Sequence, residues 1–214
     1  MQALLFDLDG TLADTDRLHE QAWIETLLAA GVKADHKLYQ ARISGRLNPD
    51  ITRDLLPHLS ENQRSRICDD KEARFRALAA NLEPTAGLVN LCEFAAGKGL
   101  KLAVVSNAPR ANAEHILKAL NLEFPEMVLS EDIGAGKPDP RPYQVALKRL
   151  GVTAGQALAF EDSPSGVRSA VAAGIPTVGL STGHTPEALQ RAGAFLVVEN
   201  FAGKELWNLL SSHL

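Results

Sequence analysis

The sequence has little cysteine, no long apolar run and no excess of basic residues. Its 214 residues include two cysteines, Cys68 and Cys92, with neither a CxxC partner nor a metal-ligand spacing. We therefore expect two free thiols in a reducing compartment rather than a disulfide. No apolar stretch in the sequence reaches the length that spans a membrane. The sequence also lacks repeats, low-complexity tracts and Asn-x-Ser/Thr glycosylation sites.

The charge balance and the N-terminal segment narrow the range of partners and compartments. With a net charge of −4, the sequence gives no indication of a basic surface that would bind nucleic acid. The first residues lack a charged segment followed by an apolar one, so no signal peptide is expected. We expect a cytoplasmic protein that binds neither nucleic acid nor a membrane, and a monomer, since no pattern demands more.

The hydrophobic pattern predicts an α/β fold. From about residue 84 onward, short apolar runs alternate with helical periods, which is typical of βαβ units and a parallel sheet. The runs are apolar on both faces, as a sheet covered by helices requires. Strands are predicted at 3–6, 102–105, 127–129, 157–160, 175–180 and 195–198, and helices near 86–98, 110–120, 140–150, 164–173, 185–192 and 201–212.

Residues 14–83 interrupt this alternation with helical patterns alone. Helices are predicted near 17–30, 36–43, 49–58 and 60–80, with no convincing strand between them. We therefore predict a Rossmann-like parallel-sheet core (1–13 and 84–214) with a small all-helical cap (14–83) inserted after the first strand. An insert at this point is expected to act as a lid on a site at the carboxyl edge of the sheet.

Carboxylates follow two of the predicted strands. Asp7 and Asp9 come directly after the first strand, and Glu161 and Asp162 come after the strand at 157–160. Open α/β sheets bind their ligands at this edge, so the four side chains are expected to gather there. Mg²⁺ prefers a few carboxylates together with water and substrate phosphate. The alternative for each pair is an ordinary polar turn.

Three further polar residues occupy equivalent positions after other strands. Ser106 and Asn107 follow the second predicted strand, and Lys137 follows the third. Lys137 can bridge a carboxylate and a phosphoryl oxygen, while the other two can donate hydrogen bonds to a phosphoryl group. Taken singly, Ser106 could be a helix cap and Lys137 a solvated surface charge. Together with the carboxylates, they favour a site for phosphoryl transfer.

Four motifs follow one another along the chain: Asp7-x-Asp9-Gly10-Thr11, Ser106-Asn107, Lys137-Pro138 and Glu161-Asp162-Ser163-x-x-Gly166. In this order they resemble the motifs of the haloacid dehalogenase superfamily. The insert resembles the cap of the branch that contains β-phosphoglucomutase and small sugar-phosphate phosphatases, and the resemblance covers essentially the whole chain.

The resemblance implies a role for each core residue. Asp7 is the expected nucleophile, which forms an aspartyl phosphate, and Asp9 is the expected general acid and base. Mg²⁺ is expected on the Asp7 carboxylate, the Asp9 main-chain carbonyl and Asp162, with Glu161 assisting through water. Ser106 and Lys137 are expected to bind the phosphoryl group, with Asn107 assisting.

Asp9 also selects among the relatives, because dehalogenases and phosphonate hydrolases of the superfamily lack a carboxylate there. The resemblance implies a Mg²⁺-dependent phosphatase of a small phosphorylated metabolite, a sugar or polyol phosphate. A phosphosugar mutase and a catalytically silent binding module remain alternatives, since cap dynamics separate a phosphatase from a mutase and a sequence barely records them.

The predicted cap holds the candidates for substrate contact. His19 lies where β-phosphoglucomutase-like proteins place a histidine that positions the acid/base. Gly45 and Arg46 resemble a specificity loop, and Lys71 resembles a lysine that reaches the site from the last cap helix. The alternative for each of the three charged or polar side chains is an ordinary solvated or packing role.

Overall fold

The computed structural model of the protein describes residues 1–44 and 46–212. Its framework is a six-stranded sheet in which neighbouring strands run parallel, in the order β3-β2-β1-β4-β5-β6. The predicted parallel α/β sheet is confirmed. The strands are β1 (Ala3–Phe6), β2 (Lys101–Ser106), β3 (Glu126–Leu129), β4 (Ala157–Glu161), β5 (Thr177–Leu180) and β6 (Leu196–Val198).

The strand order places β1 in the middle of the sheet. β1 pairs with β2 on one side and with β4 on the other, in a register that aligns Phe6 with Val104 and Phe160. The winding of the chain reverses at this strand, and such a switch point opens a crevice at the carboxyl edge of the sheet. Residues that follow β1, β2 and β4 therefore meet at one place.

Both faces of the sheet are buried. On one face the ring of Phe6 stacks on Phe160 with centroids 5.0 Å apart, and the edge of Phe201 closes the group at 5.9 Å from Phe6. On the other face Leu5 and its neighbours pack with Tyr143 in one cluster of buried side chains. Burial on both faces explains why the strands are apolar runs rather than alternating ones.

The described residues of the segment 15–81 form helices joined by short turns and loops, with no strand among them. It contains α1 (Asp16–Ala29), α2 (His36–Arg42), α3 (Asn48–Leu55) and α4 (Glu61–Leu78). Ser60 begins α4 with a capping box, in which its side chain accepts from the Gln63 N–H and the Gln63 side chain accepts from the Ser60 N–H. Trp23 and Leu27 of α1 pack with buried side chains of the other helices.

The described residues of the sheet-containing part of the chain form seven α-helices, and the short α7 is absent from the predicted helices. Helix α9 begins as predicted, with the Ser163 hydroxyl accepting from the Gly166 N–H at 3.0 Å and proline in the first turn. The helices are α5 (Leu88–Gly97), α6 (Arg110–Ala119), α7 (Ser130–Ile133), α8 (Arg141–Leu150), α9 (Pro164–Ala172), α10 (Pro186–Ala192) and α11 (Lys204–Ser212).

The described residues group into two compact units. One comprises Met1–Asp14 and Leu82–Leu214, and the other comprises Thr15–Asn81. The predicted division into a catalytic core (1–13 and 84–214) and a cap (14–83) stays a prediction.

None of the described helices combines the length and the apolar character needed to cross a membrane.

Candidate active site

Asp7 lies one residue beyond β1, in the crevice that the strand order creates. Its N–H donates to the carbonyl of Phe160 at 2.9 Å, which extends the pairing of β1 with β4 by one residue. The residue is only 7% exposed. The chain then turns over Gly10, which has φ +76, and a Cβ there would collide with the Asp162 carboxylate. Glycine at position 10 thus lets Asp162 approach the end of β1.

Lys137 provides the positive charge beside Asp7. Its side chain is 4% exposed, and its ammonium group forms ion pairs with Asp7 Oδ1 and, at 2.5 Å, with Glu161 Oε1. The face of the Tyr143 ring lies 5.5 Å from the same ammonium group. The alternative of a solvated surface lysine is therefore wrong.

Three carboxylates meet at this edge of the sheet. Asp7, Glu161 and Asp162 each present an oxygen within 4.8 Å of the oxygens of the other two. Glu161 ends β4 and is fully buried, and its Oε2 atom has no hydrogen-bond partner among residues 1–44 and 46–212. A buried carboxylate oxygen without a partner is costly unless a ligand satisfies it. The donor set is all oxygen, which suits a hard divalent cation such as Mg²⁺.

The electrostatics of the cluster point the same way. Burial raises the pKa of Asp7 to about 7, with a further upward effect from Glu161 and Asp9, although the charge of Lys137 opposes the rise. Burial, followed by the charge of Asp7, raises the pKa of Asp162 well above its ordinary value. Crowded buried carboxylates with a single ion-paired lysine lack positive charge, and a bound cation would supply it.

Ser106 is the last residue of β2, and Asn107 follows it, next to the loop that carries Lys137. Ser106 is 2% exposed, and its Oγ accepts from the Ala108 N–H at 2.9 Å. The Asn107 side chain accepts from the Lys137 N–H at 2.9 Å and donates to the Lys137 carbonyl at 3.3 Å. Asn107 thereby fixes the main chain that carries Lys137. The phosphate-binding roles of Ser106, Asn107 and Lys137 stay predictions.

Asp9 follows the cluster in the turn after β1, where it forms an isolated bridge with Ala13. Its charge raises the pKa of both Asp7 and Asp162, which places its carboxylate within electrostatic reach of theirs. Its role as acid and base stays a prediction.

The structure adds two residues that sequence reasoning missed. Thr182, after β5, donates its hydroxyl to the Gly10 carbonyl at 2.6 Å and so fastens the turn after β1. Tyr143 of α8 donates its hydroxyl to Glu161 Oε1 at 2.6 Å. The sequence signal for Thr182 is its position after a strand, at the same edge of the sheet as the cluster. The signal for Tyr143 is weaker: a buried tyrosine usually has a hydrogen-bond partner for its hydroxyl.

The helical unit pairs two of the predicted substrate-contact residues with each other. Lys71 is 2% exposed, and its Nζ lies 2.8 Å from His19 Nδ1 and 3.0 Å from Glu72 Oε1. The His19 ring stacks on Phe75 at a centroid distance of 4.0 Å. Lys71 is therefore buried rather than solvated.

The other two candidates for substrate contact differ. Arg46 is exposed and donates to Asp54 Oδ2 at 2.9 Å and to the Arg42 carbonyl at 2.8 Å. Gly45 lies outside the described residues. Substrate contact by His19, Gly45, Arg46 and Lys71 stays a prediction.

Comparison with known proteins agrees with this fold and identifies the family of the chain. A parallel α/β sheet with a buried cluster of carboxylates and a lysine at its carboxyl edge is typical of an enzyme that acts on a phosphoryl group. A family model for haloacid dehalogenase-like hydrolases matches residues 1–174. The chain belongs to this family, so the predicted family is confirmed.

Individual relatives match over most or all of the chain. The chain is 33% identical to the phosphorylated carbohydrates phosphatase of Thermotoga maritima over 100% of both proteins. It is also 33% identical to the validoxylamine A 7'-phosphate phosphatase of Streptomyces hygroscopicus subsp. limoneus, over 90% of this chain and 91% of that protein. The crystal structure of CbbY from Rhodobacter sphaeroides in complex with phosphate superposes with a TM-score of 0.82, at 29% identity over 94% of this chain and 95% of that one.

Proposed function

We propose that the protein is a Mg²⁺-dependent phosphatase that hydrolyses a small phosphorylated carbohydrate through an aspartyl phosphate on Asp7. The observation that carries the proposal is the buried group at the end of β1, where Asp7 meets Lys137 and the acidic pair Glu161 and Asp162. Family membership supports the hydrolase chemistry, and the phosphatases among the relatives support the substrate class.

Asp7 is the nucleophile in this proposal. A carboxylate oxygen of Asp7 attacks phosphorus, and the bond from phosphorus to the sugar oxygen breaks. Asp9 donates a proton to the departing sugar oxygen, so that a neutral alcohol leaves. Asp9 then takes a proton from the water that attacks the aspartyl phosphate, and the bond between phosphorus and Asp7 breaks to release inorganic phosphate.

Lys137 and the polar groups after β2 hold the phosphoryl group. The buried ammonium group of Lys137 already contacts Asp7 Oδ1. It therefore lies beside the place where the phosphoryl oxygens would carry negative charge during transfer. Ser106 lies at the end of the neighbouring strand and offers a hydroxyl donor. In a site shielded from water, such fixed donors stabilise the developing charge more strongly than they would in solution.

The carboxylates would hold the cation. Asp7, Asp162 and the Asp9 main-chain carbonyl are the proposed ligands, with Glu161 assisting through water. When bound, Mg²⁺ would neutralise the crowded carboxylates and the phosphoryl charge. We also propose a cytoplasmic monomer without nucleic-acid or membrane partners, and the net charge of −4 supports the part of this proposal that concerns nucleic acid.

The test is phosphate release from a panel of phosphorylated sugars, polyols and small acids, with Mg²⁺ and again with EDTA. Metal-dependent release from a few related esters would establish the phosphatase and its substrate class. Asp7→Asn is the matched variant, since a neutral amide of the same shape is a poor nucleophile. We expect turnover to fall by about 10³-fold or more, and substantial remaining activity would overturn the aspartyl-phosphate mechanism.

The same panel separates the alternatives. Formation of glucose 6-phosphate from β-glucose 1-phosphate without matching phosphate release would identify a mutase. Stabilisation by a phosphorylated ligand without any turnover would identify a binding module.

A further inference from the structure

Tyr143 is a buried polar residue that the proposed reaction does not use. Its side chain is fully buried on α8, and its hydroxyl donates to Glu161 Oε1 at 2.6 Å. An ionised carboxylate only accepts, so the phenol must be the donor of this bond. The contact joins a residue of a flanking helix to the acidic cluster at the sheet edge.

The two oxygens of Glu161 have different surroundings. Oε1 receives both the Tyr143 hydroxyl and, at 2.5 Å, the Lys137 ammonium group. Oε2 is buried and has no hydrogen-bond partner in the described part of the chain. Two donors on one oxygen fix the rotation of the carboxylate and leave Oε2 without a described hydrogen-bond donor.

Lys137 alone does not account for this arrangement. Its ammonium group is shared between Glu161, at the end of β4, and Asp7, just after β1, so its position is set by two carboxylates from different segments. The Tyr143 hydroxyl contacts Glu161 and not Asp7 among its hydrogen bonds in the described residues. Of the two donors on Oε1, Tyr143 is therefore the one whose hydrogen bond to a carboxylate serves Glu161 alone.

We propose that Tyr143 is a positioning residue of the cation site, which holds Oε1 of Glu161 and thereby fixes the orientation of a carboxylate that would assist in holding the cation. The inference rests on the proposed function, because it concerns the Mg²⁺ that the phosphatase requires. Partners of this kind, one step removed from the metal, typically change metal affinity by 10–100-fold when they are removed.

Tyr143→Phe removes one oxygen atom and keeps the ring that packs against Lys137. We expect calorimetric titration with Mg²⁺ alone to show a dissociation constant raised about tenfold or more. The activity of the variant should recover when Mg²⁺ is raised, with the substrate KM unchanged. A dissociation constant within about twofold of the wild-type value would overturn the inference, while a wild-type protein that binds no Mg²⁺ would overturn the proposed function instead.

Tyr39→Phe is the matched control. Tyr39 also donates its hydroxyl to a carboxylate, Asp16 Oδ1 at 2.7 Å, but that bond lies within the helical unit. We expect its Mg²⁺ affinity to equal that of the wild type, and an equal loss in both variants would show that removal of any tyrosine hydroxyl weakens the protein nonspecifically.

A second measurement leaves the Tyr143 hydroxyl in place. The chain has two tyrosines, so 3-fluorotyrosine incorporated into Tyr39→Phe protein labels position 143 alone. Added Mg²⁺ should shift the single fluorine resonance, and the Glu161→Gln substitution should abolish the shift. A resonance that Mg²⁺ does not move would contradict the inference even if Tyr143→Phe fails to fold.

Discussion

At the residue scale, the site depends on carboxylates that are kept close together at the end of β1. Burial is the largest of the effects that together raise the pKa of Asp7 to about 7, because water no longer stabilises the charged form. The positive charge of Lys137 limits the rise in pKa. Gly10 and Gly166 have no side chain, which leaves space for the carboxylates of Asp162 and Glu161. The chemistry therefore depends on which charges face one another as much as on which residues are present.

Asp9→Asn tests the proposed acid at this scale. We expect the loss of kcat to be about 10²–10⁴-fold for alkyl phosphates, whose leaving group needs a proton, and much smaller for aryl phosphates. Steady-state kinetics with matched alkyl and aryl esters measures the difference. Asp70→Asn, on an exposed position of α4, is the control. Equal losses with both kinds of ester would contradict the acid role of Asp9.

The two cysteines give a second residue-scale prediction. Both are free, and burial raises the pKa of the Cys92 thiol to about 11 and raises that of Cys68 as well. At pH 8 the folded protein should hold about a hundredfold less Cys92 thiolate than the unfolded chain, so its labelling by a disulfide reagent should be correspondingly slow. Because the pKa is raised, the thiolate fraction of Cys92, and with it the labelling rate, should increase as the pH rises toward 11. Equal rates in buffer and in urea would contradict this.

At the element scale, glycine 166 allows helix α9 to pack against the acidic cluster. A Cβ at Gly166 would fall well inside contact distance of both Glu161 carboxylate oxygens. The first turn of α9 therefore needs glycine here, for reasons of space rather than backbone conformation.

Gly166→Ala should destabilise the protein by about 1–3 kcal/mol and weaken Mg²⁺ binding, because the Glu161 carboxylate must move. Urea unfolding and Mg²⁺ titration measure the two effects. Gly97→Ala is the control, since Gly97 is also helical and a Cβ there meets no described atom within 4 Å. That change should stabilise by about 0.5–1 kcal/mol. A stable Gly166→Ala protein with unchanged Mg²⁺ affinity would contradict the packing argument.

Most element boundaries could be predicted, and the differences have local causes. Helix α3 ends at Leu55 rather than near 58, because Pro57 disfavours helical conformation in the residue before it. Strand β5 begins at Thr177 rather than 175, since Pro176 has no N–H to donate to a ladder. The short helix α7 has too few residues to show a hydrophobic period.

At the scale of the whole molecule, the acidic cluster couples metal binding to stability. Asp7, Glu161 and Asp162 are held together by the fold and separate when the chain unfolds. A cation that binds only the folded state stabilises it by mass action.

Adding Mg²⁺ to EDTA-treated protein should therefore raise the midpoint of thermal unfolding. At a concentration of 100 times the dissociation constant, the gain is about 2.7 kcal/mol. Asp162→Asn removes one predicted ligand and should shrink the Mg²⁺-induced shift, while NaCl at equal ionic strength is the control for screening. An identical response to NaCl would argue against a specific cation site.

The sequence by itself determined the parallel α/β architecture, the helical insert and the identity of the polar residues at the strand ends. These follow from local patterns, since strand and helix periods and the positions that follow each strand can be read along the chain. Only the tertiary structure decided the partners: Tyr143 on Glu161, Asn107 on the Lys137 main chain and Thr182 on Gly10. Such contacts join residues 18 to 172 positions apart, and their geometry arises only when the sheet order brings those segments together.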